Sequence, residues 1–149
     1  MTELSKTHLE WLNGQISLGA AMNWTAHEIR LVVDLAYSLA EQGRDREAIV
    51  AFEGLSALAP ATAYFQSALG GLKLRIGDFQ GALTHLNRAL AADPRDTHAM
   101  VNRGETYLHL GNRAAAKADF LSAVALSGNP NREQSPLHIQ RARGLLINL

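Results

Sequence analysis

Gly43, Gly77 and Gly111 stand 34 residues apart, and the same interval relates Ala48, Ala82 and Ala116. Phe52, Leu86 and Phe120 keep it, as do Leu58, Ala92 and Leu126, and the small residues Ala36, Gly70 and Gly104. Pro94 lies at that distance from Pro60. Columns held in phase over three copies mean one unit laid down repeatedly. A unit of this length is a supersecondary hairpin that buries its apolar face only by stacking on its neighbours.

The inside of the unit reads as two helices. In "IRLVVDLAYSLAEQG", Leu31, Leu35 and Leu39 fall on one stripe, with Val32 and Ala36 beside them, at helical spacing. Gly43 ends that helix, because glycine enters the left-handed conformation without a Cβ penalty. "DREAIVAFEGLSALAP" resumes the period through Ala48, Phe52 and Leu55, and Pro60 stops it. Where two such helices cross closely, small side chains are needed, and Ala48, Gly70, Ala82, Gly104 and Ala116 are the candidates. Ala, Leu and Gly dominate the composition and β-branched residues are few, which agrees with an all-helical chain.

The order small residue, Gly turn, Ala, bulky apolar residue, Asp-Pro at a 34-residue period resembles the tetratricopeptide repeat. "GDFQGALTHLNRALAADP" is similar to the second helix of that family, and the third copy carries Ser127-Gly128 in place of Asp-Pro. The resemblance implies an all-α, right-handed superhelix of three tandem helix-turn-helix repeats at 29–62, 63–96 and 97–130. An N-terminal helix and linker precede them over 1–28, and a C-terminal capping helix follows within 131–149, the whole forming one domain. "TAHE" at Thr25–Glu28 is a capping box opening the first repeat helix. In "SPLHIQRARGLLINL", Ser135 is placed as N-cap and Pro136 at the first helical position. Leu137, Leu145 and Ile147 are its apolar residues, in a helix running to Ile147. Residues 3–18 read as a separate helix whose Leu9, Leu12 and Ile16 form a stripe with Trp11 off it. That helix can pack on the first repeat, on a second copy of the chain as a homodimer contact, or on both.

Lys plus Arg is 14 and Asp plus Glu is 14, a balance that gives no reason to expect nucleic acid or an anionic membrane as partner. A local basic strip is confined to Arg132, Arg141 and Arg143. No cysteine is present, which removes disulfides, thiolate chemistry and Cys-based zinc sites. No apolar run reaches the length of a membrane span, and no signal-peptide pattern opens the sequence, so the expected location is cytoplasmic. Six histidines are present, but none forms an i, i+4 His pair or a HExxH motif. His98 and His109, eleven residues apart on one helix, are too distant to share an ion. Gly70-Gly71 lies within a helical pattern rather than between strand and helix, so it is no phosphate loop. The reading is a non-enzyme with no cofactor and no metal.

In tetratricopeptide repeats the first helix of each unit lines the concave surface. Carried over by position, the resemblance implies a peptide-binding groove of Arg30, Val33 and Tyr37, with Ala40 and Glu41, from the first unit. The second unit gives Tyr64, Ser67, Gly71, Leu74 and Arg75. The third gives His98, Val101, Glu105 and Leu108, with His109. Core packing is an equal reading for Val33 and Val101. Gly71 leaves space for a partner to approach. Relatives that clamp the C-terminal carboxylate of heat-shock proteins use Lys, Arg and Asn. Here Arg30, Asn102 and Arg103 come nearest, and Glu105 would repel a carboxylate. What remains suits a protein or peptide client with apolar anchors.

A short helix, three repeats and a closing helix in this length also resembles the translocator chaperones of bacterial type III secretion. "AYFQSALGGLKLRIGDFQGAL" and "GETYLHLG" are similar to segments of their second and third repeats. The resemblance implies binding, without ATP, of an unstructured segment of a pore-forming protein, and dimerisation through the N-terminal helix with Leu9, Trp11, Leu12 and Ile16. The alternative is a scaffold joining components of another bacterial assembly. Deleting residues 1–22 is expected to give a monomer of retained helicity. Sedimentation velocity of the two lengths checks this, and an intact chain already monomeric at high micromolar concentration contradicts it.

Overall fold

The computed structural model describes residues 6, 10, 23–59, 62–128 and 135–149. Within them the chain forms α1 (Ala26–Glu41), α2 (Asp45–Leu58), α3 (Ala63–Arg75), α4 (Phe79–Ala92), α5 (Thr97–His109), α6 (Arg113–Ser127) and α7 (Leu137–Leu146). No strand occurs among the described residues. Of the helix expected over residues 3–18, only residues 6 and 10 are described, and Leu9, Trp11, Leu12 and Ile16 lie outside the described residues.

Local chemistry fixes the helix ends. Thr25 and Glu28 close the predicted capping box: the Thr25 amide donates to Glu28 Oε2 at 2.7 Å, and the Glu28 amide donates to Thr25 Oγ1 at 3.2 Å. Asp78 Oδ1 accepts from the Gly81 amide at 2.9 Å, and Asn112 Oδ1, one period on, accepts from Ala115 at 3.1 Å. Arg44 holds the same place before α2 and cannot cap; it pairs instead with Glu47 in the first turn. Gly43, Gly77 and Gly111 make the hairpin turns at φ of +74°, +80° and +80°, a region closed to most side chains.

Each pair α1–α2, α3–α4 and α5–α6 packs as a hairpin, and successive hairpins stack. The crossings depend on the small column. A Cβ added at Gly70 would lie 2.4 Å from Leu86 Cγ, and one at Gly104 would lie 2.5 Å from Phe120 Cε1. Leu86 and Phe120 are fully buried by that approach, and Ala36 with Phe52 holds the equivalent places in the first hairpin, also buried. Ala48, Ala82 and Ala116 are likewise inaccessible. Burying each large side chain contributes about 1.5–3 kcal/mol.

The core falls into two apolar clusters. One joins α1, α2 and α3; the other joins α4, α5, α6 and α7. On α1 the buried stripe is Val32, Ala36 and Leu39, with Leu31 and Leu35 only half-buried at its side. This shifts the expected Leu31–Leu35–Leu39 stripe by one residue. The cause is Ala36, the small residue that must face α2.

The closing helix corrects three expectations. Pro136 sits outside α7 as its N-cap in extended conformation, and no side chain caps the helix. Ser135 is buried and occupied otherwise: its Oγ accepts from Arg143 at 2.9 Å and its carbonyl from Gln140 Nε2 at 2.7 Å. The buried residues of α7 are Ile139 and Ala142, while Leu137 and Ile147 are 82% and 75% exposed. Ile139, Ala142 and Leu146 are spaced i, i+3, i+7, and the expected Leu145 packs beside them on the core, whereas Leu137 and Ile147 fall outside the stripe. Of the residues of the basic strip, Arg141 pairs with Glu105 and Arg143 donates to Ser135, while Arg132 lies outside the described residues.

Two glycines on helices separate crowding from propensity. Gly70→Val is expected to destabilise the fold by about 2–4 kcal/mol through overpacking against Leu86. Gly144→Ala, where an added methyl meets nothing within 4 Å, is expected to stabilise by up to about 1 kcal/mol. Urea unfolding followed by circular dichroism measures both.

A concave groove with one aromatic and one polar end

The same alternation that stacks the hairpins puts α1, α3 and α5 side by side on one surface, and α7 continues the row against α5. Together they enclose an open groove of about 910 Å³. Its first end is aromatic. The Tyr37 ring meets Phe52 edge-on at 5.4 Å between centroids and Tyr64 at 5.6 Å. Phe52 and Phe65 are buried behind them, while Tyr64 keeps 47% of its surface exposed. Burial, and then the nearby Asp34 carboxylate, push the Tyr64 hydroxyl above the usual tyrosine range, so it stays neutral. Ala40, Ala68, Leu72 and Leu74 continue the apolar floor.

The other end is polar. The rings of His98 on α5 and His138 on α7 stack with centroids 3.5 Å apart and planes 27° from parallel. Thr97 Oγ1 lies 2.9 Å from His138 Nε2. Arg141 donates to Asn102 Oδ1 at 3.0 Å and forms an ion pair with Glu105. Burial raises Glu105 above the usual carboxylate range, while Arg141 and, less, His109 pull it back. His109 in turn stacks on Phe79 at 4.4 Å.

Of the residues carried over to the groove, Tyr37, Tyr64, Ser67, Gly71, Leu74, Arg75, His98 and Glu105 line it, with Ala40, Glu41 and His109. Val101 does not: it is inaccessible in the second core cluster. Val33 and Leu108 are half-buried and pack on the two core clusters, and Arg30 is exposed away from the groove. Arg75 is present but engaged, donating to the Ala40 carbonyl at 2.7 Å and pairing with Asp45. The space expected above Gly71 is taken by Asn102, whose Nδ2 would stand 3.0 Å from an added Cβ.

The two α5 candidates for a carboxylate clamp differ in their surroundings. Asn102 accepts from Arg141 through Oδ1 and turns its Nδ2 over Gly71. Arg103 makes a bidentate pair with Asp119, both bonds 2.7 Å, and reaches Asn87 at 3.0 Å, so it ties α4, α5 and α6 together outside the groove. Among the described residues, no three His, Asp or Glu side chains converge as a metal site would need.

Sequence reasoning missed the groove residues of α7: Leu137, His138 and Arg141. The signal was there at a different interval. Ile139 follows Val101, Ala142 follows Gly104 and Leu146 follows Leu108 by the same 38 residues. The closing helix is thus the inner helix of a further unit, displaced by four residues. A search at 34 passes over it.

Residues 74–131, from the end of α3 through α6, match the family model for the tetratricopeptide repeat, and the described helices have the fold of such stacked repeats. The fold of the chain is similar to that of two solved translocator chaperones of type III secretion. SycD of Yersinia enterocolitica superposes with a TM-score of 0.76 at 17% identity, over 90% of this chain and 98% of that one. PcrH, of Pseudomonas aeruginosa, in complex with the chaperone-binding region of PopD gives 0.75 at 22% identity, over 85% and 93%. At these identities the likeness is one of fold. Protein FlbA of Caulobacter vibrioides is 32% identical over 97 residues, 65% of this repeat protein but only 16% of FlbA. The chain therefore spans a small part of that curated relative. No described helix is long and apolar enough to cross a membrane.

Glu105 offers a test of the polar end. Its raised pKa makes the ionised form costlier in the folded state than in the unfolded chain, and the cost vanishes below the unfolded value near 4.5, where both states are protonated. Glu105→Gln is therefore expected to gain stability relative to the parent at pH 7.5, by less than about 1 kcal/mol. The gain shrinks towards pH 4. Urea titrations of both proteins at the two pH values measure it.

Proposed function

We propose that this repeat protein is a non-enzymatic, peptide-binding chaperone of the type III secretion translocator kind. Its concave groove holds an apolar segment of a client protein. The observation that carries the reading is the open aromatic end of the groove, where Tyr64 stays half exposed beside Tyr37 over an apolar floor. A two-faced tyrosine wall of this kind suits apolar anchors set in an extended or helical segment. The fold likeness to PcrH, solved in complex with the chaperone-binding region of PopD, supports the binding of a client segment. Burying a few anchors, each worth about 1.5–3 kcal/mol before ordering costs, keeps an aggregation-prone client soluble and still releasable. No nucleotide is needed for this.

The proposed protein works in the cytoplasm, with repeats at 29–62, 63–96 and 97–130, and dimerises through Leu9, Trp11, Leu12 and Ile16. A second reading is a scaffold joining components of another bacterial assembly, which would use the convex face or the ends of the array. The genes beside this one discriminate the two, because secretion-apparatus neighbours favour the chaperone.

The test is the double variant Tyr64→Glu, Leu74→Glu, co-expressed with any translocator gene found beside its own. Loss of two anchors is expected to weaken capture at least tenfold while the helical circular dichroism is kept. Undiminished capture by a folded variant rules the groove out as the client site.

A further inference from the structure

Helix α7 serves the groove in a way a plain cap would not. It contributes Leu137, His138 and Arg141 to the wall, and three links from these residues hold it to α5: the His98–His138 stack, the Thr97–His138 hydrogen bond and the contacts of Arg141 with Asn102 and Glu105. Two of the three pass through His138. A positive charge on the His138 ring would stand against the stacked His98 ring at 3.5 Å between centroids, a contact that favours two neutral rings, since like charges at that distance repel.

We propose that the docking of α7 on α5 is proton-sensitive, with the stacked His98–His138 pair as a latch that holds near neutral pH and loosens under mild acid, removing the far wall of the groove. The proposal rests on the groove reading for its purpose, and on the ring geometry for its mechanism.

The charges around His138 set the sign. Asp96, at the N-cap of α5, favours its protonated form, but this carboxylate is already bound to the Ala99 amide. His98 from α5 and Arg141 from its own helix oppose protonation, as does burial, which is the largest effect. Glu105 faces Arg141 and is paired with it. From α6, the other helix packed on α7, Arg113 is bound to the Asn148 carbonyl at the far end. The docked His138 is thus held below the usual imidazole range. A base held low in the docked state favours docking in full above the free value near 6.5, and that contribution is lost as pH falls below it.

Amide hydrogen exchange of the full chain, read by mass spectrometry on 137–149 and corrected for the pH dependence of intrinsic exchange, tests the latch at pH 7.5 and 5.5. Protection of α7 is expected to fall several-fold at pH 5.5, and by no more than about tenfold for one imidazole, while α3 and α4 hold theirs. His98→Gln, which leaves the Thr97–His138 bond in place, is expected to reduce that fall measurably, burial accounting for the remainder. Equal protection of α7 at both pH values, a loss shared equally by α3 and α4, or an undiminished response in His98→Gln overturns the proposal. Because no client is present, its failure leaves the groove reading standing. Failure of the Tyr64→Glu, Leu74→Glu test in turn says nothing against the latch.

Discussion

Everything in this molecule depends on how closely two helices of a hairpin can approach. Gly70 under Leu86 and Gly104 under Phe120 have no room for a methyl group, and this lack of room brings the apolar faces together without voids. The approach sets the crossing of each hairpin, the crossing sets how hairpins stack, and the stack lays α1, α3 and α5 in a row with a hollow in front of them. A groove on this scaffold is therefore a by-product of core packing. No residue in its wall is needed to make it concave, which leaves the wall free to take on chemistry.

The wall shows that freedom. At one end aromatic rings lean on one another and keep part of their surface open to solvent. At the other, histidines, an arginine and a glutamate are tied to one another across two helices. Between the two core clusters runs a seam crossed by Gly70 with Leu86, and also by a polar chain. Gln66 donates to Ser56 Oγ at 2.6 Å and contacts His85 Nδ1 at 2.8 Å through Oε1. Gln66 occupies the place that Val32 and Met100 fill in the neighbouring hairpins, yet only 4% of it is exposed. Such a buried amide is tolerable because both of its ends are bonded.

The repeat, the turn glycines, the capping box and the small residues at the crossings were legible because each follows from one local rule applied at a fixed interval. Site residues were legible only as far as position implies exposure. Tyr37, Tyr64 and Leu74 could be placed because bulky side chains at inner-helix positions must meet the hollow. Val101 could not, since one residue's rotation about the helix decides between hollow and core, and that rotation is set by Gly104 three places on. The state of Arg75, Asn102 and Arg103 was hidden for another reason. Their partners lie 16 to 39 residues away, on helices whose relative height no single-chain pattern reports.

The four-residue displacement of α7 limits how an array like this one grows. A unit duplicated upstream of α5 would meet the same apolar seam on both sides and slot in. A unit copied between α6 and α7 would present the final helix with a neighbour lacking the histidine, asparagine and glutamate that seat it. The seat of α7 is thereby specific to α5, and a duplicated unit would have to keep the two helices adjacent.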